Sequence, residues 1–284
     1  MPPIHEFAHN LHENFESIMQ LIERRKAFNG EILHRLTGGT IQHGVLKGYG
    51  LHAEARWMGS DIASQLLGLY EQEVCAALWW LSRGRDLLID LGAADGFYGL
   101  GLVAVGAYDR SVCFEISPES RGALEARREA LALTGRVEIH GDALGDCPAL
   151  IRDGAFDLGR AVVLCDIEGA EFALLTDAVL AGLAPACVIV ETHDFDHANG
   201  CPHLASLVSR ASRHFHVAEM RPGPRDLSRI PLIAGWNDND RALLLSEGRL
   251  SLASWLVLSP LPGEPLTPER LSRIHRDYVR EHWA

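Results

Sequence analysis

The segment Leu87-Leu-Ile-Asp90-Leu-Gly92-Ala-Ala-Asp95-Gly96-Phe-Tyr-Gly99 decides the fold of this chain. It begins as a buried strand, and its glycines then allow a tight turn that can approach a ligand closely. We expect this turn to open a helix whose exposed N–H groups can hold a carboxylate. Its second glycine follows the first by four positions, whereas the dinucleotide fingerprint is G-x-G-x-x-G. The spacing therefore disfavours a nicotinamide dehydrogenase, although a purely structural turn of this kind also occurs in α/β folds.

Short apolar runs alternate with helical patterns on both sides of this segment, which is typical of a mainly parallel sheet covered by helices. The predicted strands are Asp86–Leu91, Ser111–Glu115, Val137–His140, Arg160–Asp166, Ala186–Glu191, Phe215–Met220 and Ser254–Ser259. Helical patterns cover Pro118–Leu133 and Ala170–Leu183. We predict an α/β fold with a seven-stranded, mostly parallel sheet, helices on both faces, and the last two strands together at one end.

The first 83 residues have a different texture and are predicted to form a mainly helical cap before a sheet domain of residues 84–284. Apolar periodicity indicates helices over Glu13–Leu36 and Ser60–Ser82. Glycines punctuate the stretch Thr40–Trp57 between them, which suggests a short hairpin. The apolar face of the first helix can pack on the sheet domain or on a second copy, so a homodimer through this region is one expectation.

Composition narrows the class of partner. The 284 residues include 26 basic and 38 acidic ones, for a net charge of −12, and this repels phosphate backbones unless basic residues cluster. The densest basic runs, Arg24-Arg25-Lys26 and Arg127-Arg128, are short and are interpreted as solvated helix faces. We therefore expect a small-molecule partner and no nucleic acid.

The six cysteines include no C-x-x-C pair, which fits reduced thiols. The chain has neither a signal-peptide pattern nor an apolar run of the roughly 20 residues that span a bilayer. A soluble, cytoplasmic protein without membrane contact is expected.

One acidic residue ends the second predicted strand, and another follows the third. Glu115 lies about 20 residues after the glycine turn, where an acid accepts the ribose hydroxyls of adenosine in related α/β folds. Asp142, in Gly141-Asp142-Ala143, is placed to meet an adenine amino group. The alternatives are a helix-capping carboxylate for Glu115 and an ordinary Gly-Asp loop for Asp142.

The segment Cys165-Asp166-Ile-Glu168-Gly169-Ala-Glu171 places three acids at the carboxyl end of a buried strand, where open α/β sheets bind ligands. Their mutual repulsion predicts a cation, a metal or a bound proton nearby. A charged helix start explains Glu171 well, because acids are favourable in a first helical turn. It explains Asp166 and Glu168 less well.

The next strand ends in Glu191-Thr-His193, followed by Asp194-Phe-Asp196-His197. Histidine can act as general base toward a hydroxyl, and together with Asp166 or Glu191 it can also bind a divalent metal. Asp194, Asp196 and His197 are better explained as a solvated acidic loop.

The glycine turn, the Asp166–Glu171 segment and Glu191-Thr-His193 together resemble the FkbM-type methyltransferases over roughly residues 66–195. The glycine turn resembles motif I of methyltransferases, and Tyr70-Glu71 resembles the Tyr-Glu that often precedes that motif in this family. The resemblance implies a Rossmann-like class I methyltransferase fold and the donor S-adenosyl-L-methionine. It also implies methylation of hydroxyls on sugars, polyketides or other secondary metabolites. Asp95 departs from the family, which often has Asn there, and an acid at this position can instead bind the donor's amino group.

These motifs assign a role to each candidate residue. The donor would contact Asp90, Gly92, Ala93, Asp95, Gly96, Glu115, Ile116, Asp142, Ala143 and Asp166. His193 is the expected general base, with Asp166 between donor and acceptor and Glu168 and Glu191 orienting the acceptor. Tyr70 and Glu71 would close the pocket from the cap, and these two residues would contact the acceptor, as would Glu168 and His193.

Two other functions stay open. One is metal-assisted methylation with Asp166, Glu191 and His193 as ligands. The other is a donor-binding partner protein that has no turnover.

Overall fold

The computed structural model describes residues 4–51, 61–193, 202–247 and 254–283. Its strands are β1 (Leu87–Leu91), β2 (Arg110–Phe114), β3 (Val137–His140), β4 (Ala161–Cys165), β5 (Cys187–Thr192), β6 (Phe215–Met220) and β7 (Ser254–Pro260). They form one sheet in the order β3-β2-β1-β4-β5-β7-β6. The five strands β1 to β5 are parallel, and β7 runs antiparallel to both β5 and β6. This is the layout of the class I methyltransferase sheet, so the predicted fold class and the terminal position of the last two strands are confirmed.

Helices cover both faces of this sheet. They are α1 (Ile4–Thr37), α2 (Ile62–Leu66), α3 (Gln72–Leu81), α4 (Gly101–Ala104), α5 (Pro118–Ala130), α6 (Ala143–Arg152), α7 (Glu171–Leu174), α8 (Asp177–Leu183), α9 (Pro202–Ala211), α10 (Asp238–Leu243) and α11 (Pro268–His282). The apolar core has two parts because successive strand residues point to opposite faces. Leu88 packs in the part formed with α1 to α3, α5 and α11, whereas Leu87 and Ile89 pack in the part formed with α6 to α9.

The N-terminal region shares the first of these core parts. Leu33, Leu66 and Leu78 belong to the same apolar cluster as Leu88 on β1. The division at residue 83 into a cap and a sheet domain stays a prediction. Ile18 and Leu21 on α1 are exposed, and the homodimer through this region likewise stays a prediction.

The single helix predicted over Ser60–Ser82 is wrong, because the structure has two helices, α2 and α3. Gly68 interrupts them with φ of +73°, and a Cβ there would lie 2.2 Å from the carbonyl oxygen of His43. Glu71 also has positive φ, at 41°, directly before α3. The break is therefore set by close contact with a distant loop.

The helix predicted over Ala170–Leu183 is also divided, into α7 and α8. Thr176 has extended backbone between them, and its side chain accepts a hydrogen bond from the N–H of Val179 at 3.3 Å. This is an N-cap, which starts a new helix. In the predicted hairpin, Thr40 and Gly50 form one isolated antiparallel bridge, while residues 52–57 lie outside the described ranges.

The interpretation of the basic runs as solvated faces is wrong for two members. Lys26 is 1% exposed, and its ammonium lies 3.5 Å from Glu23 and 3.6 Å from Asp61. Arg127 is buried, donates to the carbonyl of Gly50 and lies over the ring of Tyr49. Both cations make contacts within the fold and are buried, so they do not form part of the surface.

Among the residues that the structure describes, no helix is both long enough and apolar enough to cross a membrane. The five cysteines in those ranges, at positions 75, 113, 147, 165 and 187, are free and buried.

Candidate active site

The candidate residues gather at the edge of the sheet where the parallel strands end. Leu91, the last residue of β1, pairs with Phe114 of β2 and with Cys165 of β4, so these strands end level with one another. Cys165 in turn pairs with Val190 of β5. The loops that follow β1 to β5 therefore share the carboxyl edge, where open α/β sheets bind ligands.

The glycine turn is held by backbone hydrogen bonds to β2 and by close packing on the loop after β4. The N–H groups of Gly92 and Ala93 both donate to the carbonyl of Phe114 at 2.9 Å. Gly92 has φ of +95°, and a Cβ there would lie 1.7 Å from the carbonyl oxygen of Asp166. The turn can pack this closely on the loop after β4 only because residue 92 is a glycine. This packing joins the glycine turn to the loop that contains Asp166.

The expectation that this turn directly opens a helix is wrong. Gly96 has φ of +86°, outside the helical region, and the regular helix α4 begins only at Gly101. The N–H groups of Leu100 and Gly101 both donate to the carbonyl of Gly96 at 3.1 Å. A series of turns therefore separates the glycine turn from the helix.

Asp90 lies under the turn and is buried. Its carboxylate accepts a hydrogen bond from the backbone of Gly99, yet burial raises its pKa to about 7, and the charges of Glu115 and Asp95 add to this effect. Asp90 therefore faces the backbone of the loop. Asp95 is partly exposed on the turn itself.

Glu115 connects the glycine turn to β2. One carboxylate oxygen accepts from the N–H of Ala94 at 2.9 Å and the other from the N–H of Ser117 at 2.8 Å. The neighbouring side chain of Ile116 is 70% exposed. An acid anchored at a strand end beside an uncovered apolar side chain is suited to a ribose and its attached base.

Asp142 and Ala143 lie at the end of β3, where α6 begins. Asp142 is exposed and caps α6 by accepting from the N–H of Leu144 at 2.9 Å, while Ala143 is buried. Leu144 adds a second exposed apolar side chain at this edge.

His193 is surrounded by carboxylates from the loops after β4 and β5. Its Nε2 atom lies 3.5 Å from Glu168, 3.6 Å from Asp166 and 4.0 Å from Glu191. Its Nδ1 atom lies 3.1 Å from Oε1 of Glu171. The predicted grouping of Asp166, Glu168, Glu191 and His193 is therefore present, with Glu171 as a further member.

Glu171 was missed as a site residue because an acid at the start of a helix has an ordinary explanation. It is the first residue of α7, but it is 0% exposed and its carboxylate points toward His193. Burial alone raises the pKa of Glu171, and the hydrogen bonds from His193 bring it below its usual value. The sequence did offer one signal, because Glu171 is the third acid in the short segment Asp166–Glu171.

The charges of this group shift the pKa values of its members. Burial raises the pKa of Asp166 well above its usual value, and the charges of Glu191 and Glu71 and a hydrogen bond with Glu191 act in the same direction. Burial lowers the pKa of His193, but Glu171, Glu191 and Glu168 outweigh that and raise it. The raised pKa values favour proton binding within this group, which is one of the ways of offsetting the repulsion between its acids that the sequence predicted.

Glu71 reaches this group from the N-terminal region. The hydroxyl of Tyr98 donates to its carboxylate at 2.7 Å, and its N–H donates to Glu247 at 3.1 Å. The adjacent Tyr70 packs edge-to-face against Phe97, with 5.5 Å between ring centroids. Glu168, in contrast, is 81% exposed with φ of 52°, at the solvent side of the group.

Comparison with known proteins gives structural likenesses only, since no protein-family model and no curated protein matches the chain. The O-methyltransferase from Bacillus cereus, in complex with SAH, is 14% identical with a TM-score of 0.45, covering 72% of this chain and 98% of that one. Precorrin-6y C5,15-methyltransferase from Geobacter metallireducens GS-15 is 14% identical with a TM-score of 0.42, covering 67% and 89%.

The tRNA methyltransferase TrmK from B. subtilis is 11% identical with a TM-score of 0.40. The match covers 64% of this chain and 64% of TrmK, so this chain spans less than two thirds of TrmK's length. Likenesses at this level do not assign an activity or a substrate. The fold class rests on the strand order and strand directions given above.

Proposed function

We propose that this protein is an S-adenosyl-L-methionine-dependent methyltransferase that methylates a hydroxyl oxygen of a small molecule. The observation that carries the proposal is the common location of the glycine turn, Glu115 and the His193 group at the carboxyl edge of a class I methyltransferase sheet. The first two would hold a nucleoside-type donor. The third can accept a proton from a hydroxyl.

The residues at this edge fit the donor. Glu115 would hold the ribose, and Ile116 and Leu144 offer uncovered apolar surface for a purine. Asp142 and Ala143 lie beside this surface, and Ala93, Asp95 and Gly96 lie on the turn that would take the methionine end. When bound, the donor supplies an activated methyl group on a sulfonium.

The protein's own task is then to align the acceptor and remove its proton. Nε2 of His193 would take the hydroxyl proton. Asp166 lies between the glycine turn and His193, since its backbone contacts the turn and its side chain faces the ring. Glu168 and Glu191 would orient the acceptor, and Glu71 would close the pocket.

The finer assignment to FkbM-type methyltransferases acting on sugars, polyketides or other secondary metabolites is part of this proposal. It is supported by the Asp166–Glu171 segment and by Tyr70-Glu71. A small acceptor is also supported by the net charge of −12 and by the burial of Lys26 and Arg127, which leaves less basic surface for a phosphate backbone.

Calorimetry with S-adenosylhomocysteine tests the donor, and its failure to bind the wild-type protein would refute this assignment. Substitution of Gly92 by Arg is unsuitable as a test, because any Cβ there collides with the backbone of Asp166. Transfer from labelled donor to a panel of glycosides and polyketides, read by mass spectrometry, tests the reaction. His193→Ala should lower turnover by on the order of 10²–10⁴-fold and spare donor binding.

The matched control is His214→Ala, since His214 also contacts a carboxylate, 3.2 Å away on Asp177, but neither residue belongs to the group around His193. It should leave turnover intact. Unchanged turnover in His193→Ala would exclude His193 as base. Donor binding without product from any acceptor would instead favour a partner protein that has no turnover.

Metal-assisted methylation is a second candidate. Single ligand atoms of Asp166, Glu191 and His193 all lie within 4.8 Å of one another, and carboxylates with an imidazole suit several divalent metals. If a metal is used, dialysis against a chelator should abolish turnover but spare donor binding, and Mg²⁺, Mn²⁺ or Zn²⁺ should restore turnover. Full turnover after chelation would exclude this mechanism.

A further inference from the structure

Of the carboxylates that the structure describes near the candidate site, that of Glu171 is the most completely buried, and its contacts hold both neighbouring loops. One oxygen, Oε2, accepts from the N–H of Gly169 at 2.9 Å. The other, Oε1, accepts from the backbone N–H of His193 at 3.0 Å and faces the ring Nδ1 at 3.1 Å. The side chain thus joins the loop after β4 to the end of β5.

The chemistry of this contact fixes the protonation pattern of the ring. An ionised carboxylate can only accept hydrogen bonds, so Nδ1 of His193 must carry a proton to bond with Glu171. In the neutral ring Nε2 is then the atom with the free lone pair. Nε2 is directed toward Asp166 and Glu168, where the acceptor would bind.

The ordinary explanation, an acid stabilising the start of a helix, is weak here. Helix α7 has four residues, and Glu171 is buried within the site instead of facing solvent at the helix end. Burying an isolated carboxylate costs several kcal/mol unless its lone pairs are satisfied. In the part of the chain that the structure describes, the hydrogen bonds that the Glu171 carboxylate makes with other residues come from Gly169 and His193, so its contacts serve the site loops.

We propose that Glu171 is the positioning residue for His193: it selects the Nδ1–H tautomer and directs Nε2 toward the acceptor hydroxyl. This rests on the proposed function. Proton transfer would break the acceptor O–H bond and form an N–H bond at Nε2. The acceptor oxygen would keep the electron pair with which it binds the methyl group, and the electron pair of the broken methyl–sulfur bond would stay on the sulfur of the S-adenosylhomocysteine product. The resulting imidazolium would be stabilised by Glu171, as in other carboxylate-histidine pairs.

Glu171→Gln and Glu171→Ala test the proposal, with Asp177→Asn as the matched control. Asp177 also contacts a histidine and also lies in a first helical turn, but outside the site. Glutamine can keep an oxygen toward His193 only by turning its NH₂ toward the N–H of Gly169. We therefore expect kcat to fall at least about 10-fold in the Gln variant and by on the order of 10²–10⁴-fold in the Ala variant.

KM and the affinity for S-adenosylhomocysteine should stay close to wild type in both variants, and Asp177→Asn should leave kcat unchanged. Equal loss in the control, or unaltered kcat in Glu171→Gln, would overturn the proposal. Thermal unfolding of each variant shows whether a lower kcat comes from misfolding. If the Ala variant does not fold, the Gln variant still tests the proposal.

A second measurement requires no acceptor. Nitrogen-15 spectra of the imidazole in the full chain should show the Nδ1–H form of His193 in the wild type and a changed tautomer population in Glu171→Gln. An Nε2–H ring in the wild type, or the same tautomer in both proteins, would refute the role of Glu171. Because this result does not depend on methyl transfer, it separates failure of this proposal from failure of the proposed function.

Discussion

Arg225 and Glu73 form a buried ion pair, in which Nη1 of the arginine donates to Oε1 of the carboxylate at 2.7 Å. The two side chains are 5% and 10% exposed. Nη2 of Arg225 also donates to Glu247 at 3.2 Å, and Nε donates to the carbonyl of Leu69 at 2.9 Å. Glu247 in turn accepts from the N–H of Glu71, so the arginine supports the segment that brings Glu71 to the site.

Replacing Arg225 by Met should destabilise the fold by about 3–5 kcal/mol, because it leaves two buried carboxylates without their cation. Urea unfolding measures this free energy. Arg221→Met is the matched control: Arg221 pairs with Glu219 but is exposed, so its loss should cost about 1 kcal/mol or less. Similar costs for the two variants would show that the buried pair adds no special stability.

Asp90 should make stability depend on pH. Burial raises its folded pKa from 3.8 to about 7, so the folded state binds this proton more tightly than the unfolded state does. The stabilisation of the folded state by this proton is therefore full below about pH 4, and it is lost as the pH rises from there through about 7. One pKa unit corresponds to about 1.4 kcal/mol, so the loss is on the order of 4 kcal/mol.

Asp90→Asn checks this linkage, since a neutral amide oxygen can still accept from Gly99 without titrating. Unfolding free energies of both proteins between pH 4 and 8 should diverge, with the variant gaining on the wild type as the pH rises. Parallel curves would contradict the raised pKa.

Gly99 should not tolerate a methyl group. A Cβ there would lie 2.3 Å from the thiol of Cys113 and 2.8 Å from the carboxylate of Asp90. Gly99→Ala is therefore expected to cost roughly 1–3 kcal/mol by overpacking. Gly122→Ala is the control, because Gly122 is exposed within α5 and helix propensity predicts a gain of up to about 1 kcal/mol. Thermal unfolding should shift in opposite directions, and a common direction would contradict this explanation.

The sheet could be predicted from sequence because its strands are short, buried, apolar runs with clear ends. Val137–His140 and Phe215–Met220 agree with the structure at both ends. The break at Gly68 could not be predicted, since it depends on contact with His43, which is distant in sequence. The division at Thr176 did have a local signal, because Thr followed by Asp is a common helix start.

Part of the site could be predicted because the carboxyl ends of parallel strands lie at one edge of a sheet. This rule places Asp166, Glu191 and His193 close together from the predicted strands alone. The orientation of Glu171 was not predictable, because a local rule for helix starts and the tertiary contact with His193 explain the same acid. Only the distances of 3.0 and 3.1 Å decide between these two explanations.

The donor pocket leads to the last prediction, which concerns Ile116. A singly exposed apolar residue is normal on a protein surface, but Ile116 lies directly after Glu115 and shares this edge with the exposed Leu144. If a purine covers this surface, Ile116→Ala should weaken binding of S-adenosylhomocysteine about 10-fold, or about 1.4 kcal/mol, without lowering the melting temperature.

Leu131→Ala is the matched control for this variant, since Leu131 is also partly exposed and lies at the far end of α5, the helix that begins just after Ile116. Calorimetry should give this control the wild-type affinity. Equal affinities for wild type and both variants would place the donor's base elsewhere at the edge. Equal loss of S-adenosylhomocysteine affinity in both variants would indicate a general effect of truncating an exposed apolar side chain. A loss confined to Ile116→Ala is explained only by contact of the donor with the start of α5.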